Sequence, residues 1–330
     1  MDTIQLTIGL HDYDHVHDLI NGTIRPQGIS LIPLVCRPHE LFWRFMKHQE
    51  WEVSEMSLGG YCSAVAAGDE SMVGIPVFPS RVFRQSAFYI RSDDSITKPE
   101  DLAGKRVGVP EWGMTAVVYA RGWLTHQVGI PLADIQWTQA GVNQAGRVEK
   151  IDFKLPDGVQ CQVVPDRSLS EMLLAGDIDA IISAAPPDPV RNGDKRVQRL
   201  FPDYRGVEEK YFAETGIYPI MHTISIRRSI YEINPWVASS LYTAFNEAKA
   251  RSIQRIMAPG SQIAIPWGFL DAAAHAKTMF GNNEYWPYGI EPNRVTLDAF
   301  LQYCFEQAVT KRRLNPEDLF VPELQAMARE

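Results

Sequence analysis

A chain of 330 residues, 45% of them hydrophobic, can bury a core large enough for two lobes. Its formal net charge of −8 argues against a nucleic-acid partner, because a phosphate backbone rewards a basic face. No apolar run approaches the roughly 18–20 residues of a membrane span, and Cys36, Cys62, Cys161 and Cys304 lack zinc-site spacing.

The chain opens with Ile4, Leu6 and Ile8 alternating with polar residues, which predicts a strand over 5–8. MDTIQLTIGL has no basic segment ahead of an apolar run, so it does not read as a secretory signal and a cytoplasmic location is expected. Strands are predicted over 30–35, 52–55 and 73–77. A helix over 38–48 places Leu41, Phe42, Phe45 and Met46 on one face. The stretch 79–86 reads as a crossing into a second lobe, with strands over 87–91, 106–109, 135–137, 159–164 and 178–182. Within it, Lys98 to Leu102 predicts a helical turn, and Gly104 lets the chain reverse into the next strand. Helices are expected near 115–127 and from Leu169 to a stop at Gly176. The chain returns at 218–222, and helices over 235–250, 267–280 and 292–308 follow. Pro186, Pro187 and Pro189 mark a surface loop. The expected division is residues 1–85 plus 224–330 for lobe one with its C-terminal helices, and 86–223 for lobe two.

Several chemistries are absent from the sequence. Gly104-Lys105-Arg106 lacks the remainder of a phosphate-binding loop, and no GxGxxG follows a strand. Neither HExxH nor GxSxG occurs.

Four constellations remain. His11-Asp12-Tyr13-Asp14-His15-Val16-His17 follows the first strand, where open α/β sheets bind ligands. Its imidazoles could meet at a metal or, alternatively, cap backbone groups. Arg81 and Arg84 sit three apart in the aromatic crossing. A guanidinium suits a carboxylate through two parallel charge-assisted bonds, although either Arg could instead tie the lobes together. The turn Pro110 to Thr115, with Glu111, places free N–H groups at a helix start, a natural anion site. Thr115 either donates to a ligand or caps its own helix, and Ser57 poses the same choice in lobe one. His222, beside Tyr218 at the return crossing, is either an acid/base or structural. Trp267, Trp286 and Tyr288 read as packing residues.

Arg81, Arg84, Glu111, Thr115, Tyr218 and His222 lie in stretches that resemble the 4,5-dihydroxyphthalate decarboxylase family, which are FPSRVFRQSAFYIR, DLAGKRVGVPEWGMTA, RGWL, GDIDAIIS with a following PP, RLFPDY, TGIYPIMHTISIRR, PWVASSLYTAFNEAK and WPYGIEPNR. The similarity runs from about Gly9 to Phe320. It implies a two-lobed α/β type II periplasmic-binding-protein-like fold with a cleft between the lobes and a helical C-terminal extension. It also implies non-oxidative decarboxylation of a hydroxylated aromatic acid, with 4,5-dihydroxyphthalate giving protocatechuate and carbon dioxide as the first expectation. The implied roles are a carboxylate clamp for Arg81 and Arg84, assisted by Thr115 and Ser57, further substrate contacts for Glu111 and Tyr218, and a general acid for His222. Asp14 or His15, with His11 as a further contender, would handle the hydroxyl. No organic cofactor is needed; a divalent metal on the catechol oxygens is the alternative. The expected partner is a small aromatic carboxylate rather than nucleic acid or membrane, with homo-oligomerisation left open. A solute-binding or sensing protein without catalysis is the alternative reading, since most proteins of this architecture only bind. The sequence departs from the family at Gln85 in place of His, His15 in place of Arg, and Ala184-Ala185 in place of a basic residue. Losing cations there predicts weaker binding of a dianion and makes a monocarboxylate plausible.

Overall fold

The computed structural model describes residues 3–93, 95–149, 154–258, 268–281 and 286–325. Before the first crossing run β1 (Ile4–Leu10), β2 (Ile29–Val35), β3 (Val53–Ser57) and β4 (Met72–Arg81). Between the crossings lie β5 (Phe88–Arg91), β6 (Arg106–Val109), β7 (Gln136–Gly141), β8 (Cys161–Ser168), β9 (Ala180–Ile182) and β10 (Val197–Arg199). After the return comes β11 (Ile220–Arg227). Two sheets result, ordered β2-β1-β3-β11-β4 and β10-β5-β9-β6-β7-β8.

Each sheet is parallel except for one strand, β11 in the first and β5 in the second. Those two strands are the first to follow each crossing, so both enter their sheets from the cleft side. This is the two-lobed type II topology expected from the sequence. β11 is a single strand of the first sheet, so residues 220–223 join lobe one and the boundary moves from 224 to 220. The apolar run Ile217 to Met221 carries no change of pattern to mark that point.

The predicted elements recur with shifted ends. The helix Pro38–His48 and the strand Arg106–Val109 have the expected bounds. Strand β4 runs on through Pro79 to Arg81, so half of the expected crossing is sheet. The helix at Thr115 is regular only to Trp123, then widens into a π turn over Leu124–Val128. The late helices are Trp236–Met257, Phe269–Met279 and Arg294–Glu306. Trp267 lies outside the described residues. Strand β10 and the helix Tyr204–Thr215 were not predicted, and of that helix's side chains only Tyr211 is buried. Without an apolar stripe, it leaves no helical period to read.

One apolar core extends through both lobes. The helix Arg294–Glu306, which follows lobe one in the chain, packs on the helix Thr115–Trp123 of lobe two. Phe300 stacks on Tyr119 with centroids 4.6 Å apart. Gly122 admits the Tyr303 ring, which a Cβ there would meet at 2.4 Å. Buried Arg121 donates to Gln307 Oε1 (2.8 Å), and Gln307 Nε2 donates back to the Val118 carbonyl (2.9 Å). The C-terminal helices thus fasten one lobe to the other.

Candidate active site

Strands β1, β3, β6, β7 and β9 all end at the cleft, where parallel sheets place ligands. β11 starts there, with His222 in register with Ser57 of β3 and Ser80 of β4. The pairing of β11 on β4 slips on both sides of His222, and both Met221 and His222 line the cavity. That cavity measures about 400 Å³, and its lining includes Phe42, Ser57, Ser80, Arg84, Thr115 and Ser183. Small-molecule sites span roughly 300–1,000 Å³. An outer space of about 850 Å³, with Trp43, Lys47 and the loop 141–149 on its walls, shares Met46, Glu111 and Arg147 with it.

The strongest feature is one that the sequence reading missed. Glu55, fully buried in β3, lies 2.6 Å from His222 Nδ1 through Oε1. The Tyr13 hydroxyl donates to the same oxygen (2.6 Å), and the His11 backbone N–H donates to Oε2 (2.9 Å). Burial works against charge on Glu55, but His222, Tyr13 and the His11 amide outweigh it and hold the carboxyl below its ordinary range. Burial and the neighbouring Glu55 charge push the Tyr13 hydroxyl up, so it stays a donor. An acceptor at Nδ1 assigns the proton there, which leaves Nε2 for a ligand. The ring edge packs on Phe42 at 4.8 Å. A carboxylate–imidazole pair with one free nitrogen at a cavity can hold and deliver a proton.

The two crossing arginines diverge. Arg84 lines the cavity and spends Nε on Met221 Sδ (3.1 Å). Arg81 does not line it: Nη2 donates to the Tyr218 carbonyl (2.8 Å), and the guanidinium lies over the Tyr218 ring at 4.3 Å. Burial lowers both to about 10, which still leaves them charged near neutrality. The expected clamp therefore reduces to Arg84, while Arg81 and Tyr218 brace the crossing through a carbonyl rather than an acidic partner. Tyr218, pushed up by burial, stacks on Phe83 at 4.9 Å.

Thr115 and Ser57 meet across the cleft, hydroxyl to hydroxyl at 2.9 Å, and Thr115 also accepts from the Gly59 N–H (2.9 Å). Glu111 lines the cavity but accepts from Arg147 Nε and Nη2, both at 2.7 Å. The anion site expected at the 110–115 turn is filled by the chain itself, since Glu149 accepts the backbone N–H groups of Trp112 and Gly113.

The loop after β1 serves the site from behind. His15 Nε2 donates to the Pro79 carbonyl (3.0 Å) between Tyr13 and Trp286, and burial lowers it to about 4. Asp14 accepts from Ser252, and His11 Nδ1 contacts the Cys36 carbonyl (3.2 Å). None of the three lines the cavity, so the hydroxyl-handling roles expected of them are not supported by position. His17 pairs with Asp12, so the three imidazoles diverge. Of the three departures from the family pattern, only Ala184-Ala185 lines the cavity. Gln85 is buried with its side-chain oxygen on the Arg84 backbone N–H (3.2 Å), and His15 lies behind Tyr13.

No protein-family model matches the chain. Among solved structures, the periplasmic aliphatic sulphonate binding protein SsuA of Escherichia coli is similar, with a TM-score of 0.55 at 14% identity over 97% of this chain and 98% of that one. A putative sulfonate-binding SsuA of Methylobacillus flagellatus gives 0.55 at 11% identity, over 98% and 93% of the two chains. Both show the fold: this is a type II periplasmic-binding-protein-like molecule. Curated relatives carry the assignment further. A 4,5-dihydroxyphthalate decarboxylase of Comamonas testosteroni is 34% identical over 324 residues, 98% of either chain. A Pseudomonas putida protein of the same name is 35% identical over 213 residues, 64% of this chain and 83% of that one. The chain belongs to the 4,5-dihydroxyphthalate decarboxylase family and is a carboxy-lyase. No described helix is long and apolar enough to cross a membrane.

Proposed function

We propose that the protein converts 4,5-dihydroxyphthalate to protocatechuate and carbon dioxide, with His222 as the proton donor. The observation that carries this reading is the buried Glu55 fixing His222 at the cavity. In this substrate each carboxylate stands para to a hydroxyl. The hydroxyl feeds electron density to the ring carbon bearing the carboxylate. His222, protonated on both nitrogens, keeps Nδ1–H on Glu55 and gives the Nε2 proton to that carbon. The carbon–carboxylate bond then breaks, its electrons restore the aromatic ring, and carbon dioxide leaves. His222 regains a proton from solvent, which balances the one kept by the product.

Glu55 holds Nδ1–H and Tyr13 holds Glu55, which turns Nε2 to the cavity, so Glu55 and Tyr13 are positioning residues. Arg84 holds the carboxylate that is not lost. The hydroxylated ring is its own electron sink, so the reading needs no organic cofactor.

The test is carbon dioxide release from 4,5-dihydroxyphthalate, with and without a chelator. Turnover that survives chelation is expected. Turnover lost on chelation would contradict the metal-free scheme. Binding without any turnover would contradict the decarboxylase.

A further inference from the structure

We infer that Ser183 is a specificity-determining residue, forming with Arg84 a single subsite for the carboxylate retained in the product. This rests on the decarboxylase reading of the same cavity and extends it.

Ser183 follows β9 at the cleft, and its backbone N–H is spent on the Ala87 carbonyl (3.0 Å). The residue is 1% exposed, lines the cavity, and its Oγ makes no hydrogen bond. Buried hydroxyls nearly always find partners, so one left open at a cavity wall points to a ligand. The other hydroxyls of the wall are engaged: Ser57 and Thr115 hold each other, Thr115 also accepts from Gly59, and Ser80 bonds the Tyr13 hydroxyl.

The cations of the lining sort the same way. Arg147 is neutralised by Glu111. Arg84 has Nε on a thioether, and its two terminal nitrogens have no hydrogen-bond partner among the described residues. Glu208, the acid that acts on it electrostatically, makes no ion pair with it and accepts from the Ser86 N–H (3.2 Å), while burial pushes its carboxyl up.

An anion entering the cavity therefore meets one guanidinium with open terminal nitrogens and one open hydroxyl. A carboxylate takes parallel bonds from the first and a third from the second. The remaining lining is richer in Phe42, Met46, Met114 and Ala116. A second carboxylate placed there, beside His222, has little to solvate it and leaves as a neutral molecule. The ligand class is a benzene ring with adjacent carboxylates, one bound by charge and one exposed to the proton donor.

Affinities for phthalate, protocatechuate and catechol, measured calorimetrically on the wild type and on Ser183→Ala, test this. Phthalate lacks the activating hydroxyls, so its binding is read without turnover. The variant is expected to bind phthalate and protocatechuate about tenfold more weakly. Catechol affinity should not change. In turnover, the loss should fall on KM rather than kcat. The ligand-free variant should melt no lower than wild type, because it no longer buries an open hydroxyl. Unchanged phthalate affinity, or an equal loss for catechol, would overturn the assignment. A failure of the decarboxylase reading would show separately, as absent carbon dioxide release by the wild type with phthalate binding intact.

Discussion

On the lobe-one wall of the cleft the polar groups are titratable and wired together, with Glu55 joined to His222, Tyr13 and the His11 amide. On the lobe-two wall they are hydroxyls and a closed ion pair: Thr115, Ser183, and Glu111 with Arg147. In the proposed reaction the lobe-one wall supplies the proton and the Arg84 cation, and the lobe-two wall adds the Ser183 hydroxyl. The C-terminal helix packed on lobe two keeps the walls facing each other.

The sharpest break of this comparison is His222→Gln, which removes the proton donor but keeps a polar side chain. It should lower kcat by about 10²–10⁴-fold in a carbon dioxide assay. A loss confined to KM would instead place His222 with the binding groups.

Arg84 and Arg81 refine the contrast. Arg84→Met should raise KM by about 10–100-fold, the worth of a charged hydrogen-bond partner. Arg81→Met should instead lower the unfolding free energy measured in urea, by about 1–3 kcal/mol, through its lost carbonyl bond and its place over the Tyr218 ring.

The support behind the dyad should show in acid. His15 is lowered from 6.5 to about 4, so the folded protein resists a proton that the unfolded chain accepts. Its contribution is fully present above pH 6.5 and drains away as the pH falls towards 4, by about 3 kcal/mol at most. Glu55, held below its ordinary value, adds to the loss at lower pH because its ion pair disappears on protonation. Urea unfolding at pH 7 and pH 4.5 should show this slope, and His15→Phe should flatten it.

An effect as small as that of Arg81→Met comes where the walls touch. A Cβ on Gly59 would lie 2.7 Å from the Gly113 carbonyl oxygen across the cleft. Gly59→Ala should cost about 1–3 kcal/mol in thermal stability and raise KM by spreading the walls.

Much of this frame was legible in the sequence. The alternation at Ile4, Leu6 and Ile8 marks β1, and the apolar face of the helix Pro38–His48 gives its bounds, because local periodicity reports one buried side. His222 could be named because a histidine at a crossing stands out. Glu55 could not, since an acid inside a five-residue strand looks like one solvated face. The only signal was its place two residues before the cleft end of β3, among neighbours that are also buried. Arg81 and Arg84 share the same local pattern, and only the packing of Tyr218 and Met221 separates them. The 110–115 turn looked open because Glu149, 36 residues beyond Gly113, is invisible to local reading.

The most direct test is Glu55→Gln, with carbon dioxide release from 4,5-dihydroxyphthalate and phthalate affinity measured on the same protein. The carboxamide keeps the shape and a hydrogen-bonding oxygen but not the carboxylate charge that faces His222. We expect kcat to fall by about 100-fold or more while phthalate affinity holds. A kcat within a few-fold of wild type would contradict the Glu55–His222 dyad as the source of the proton.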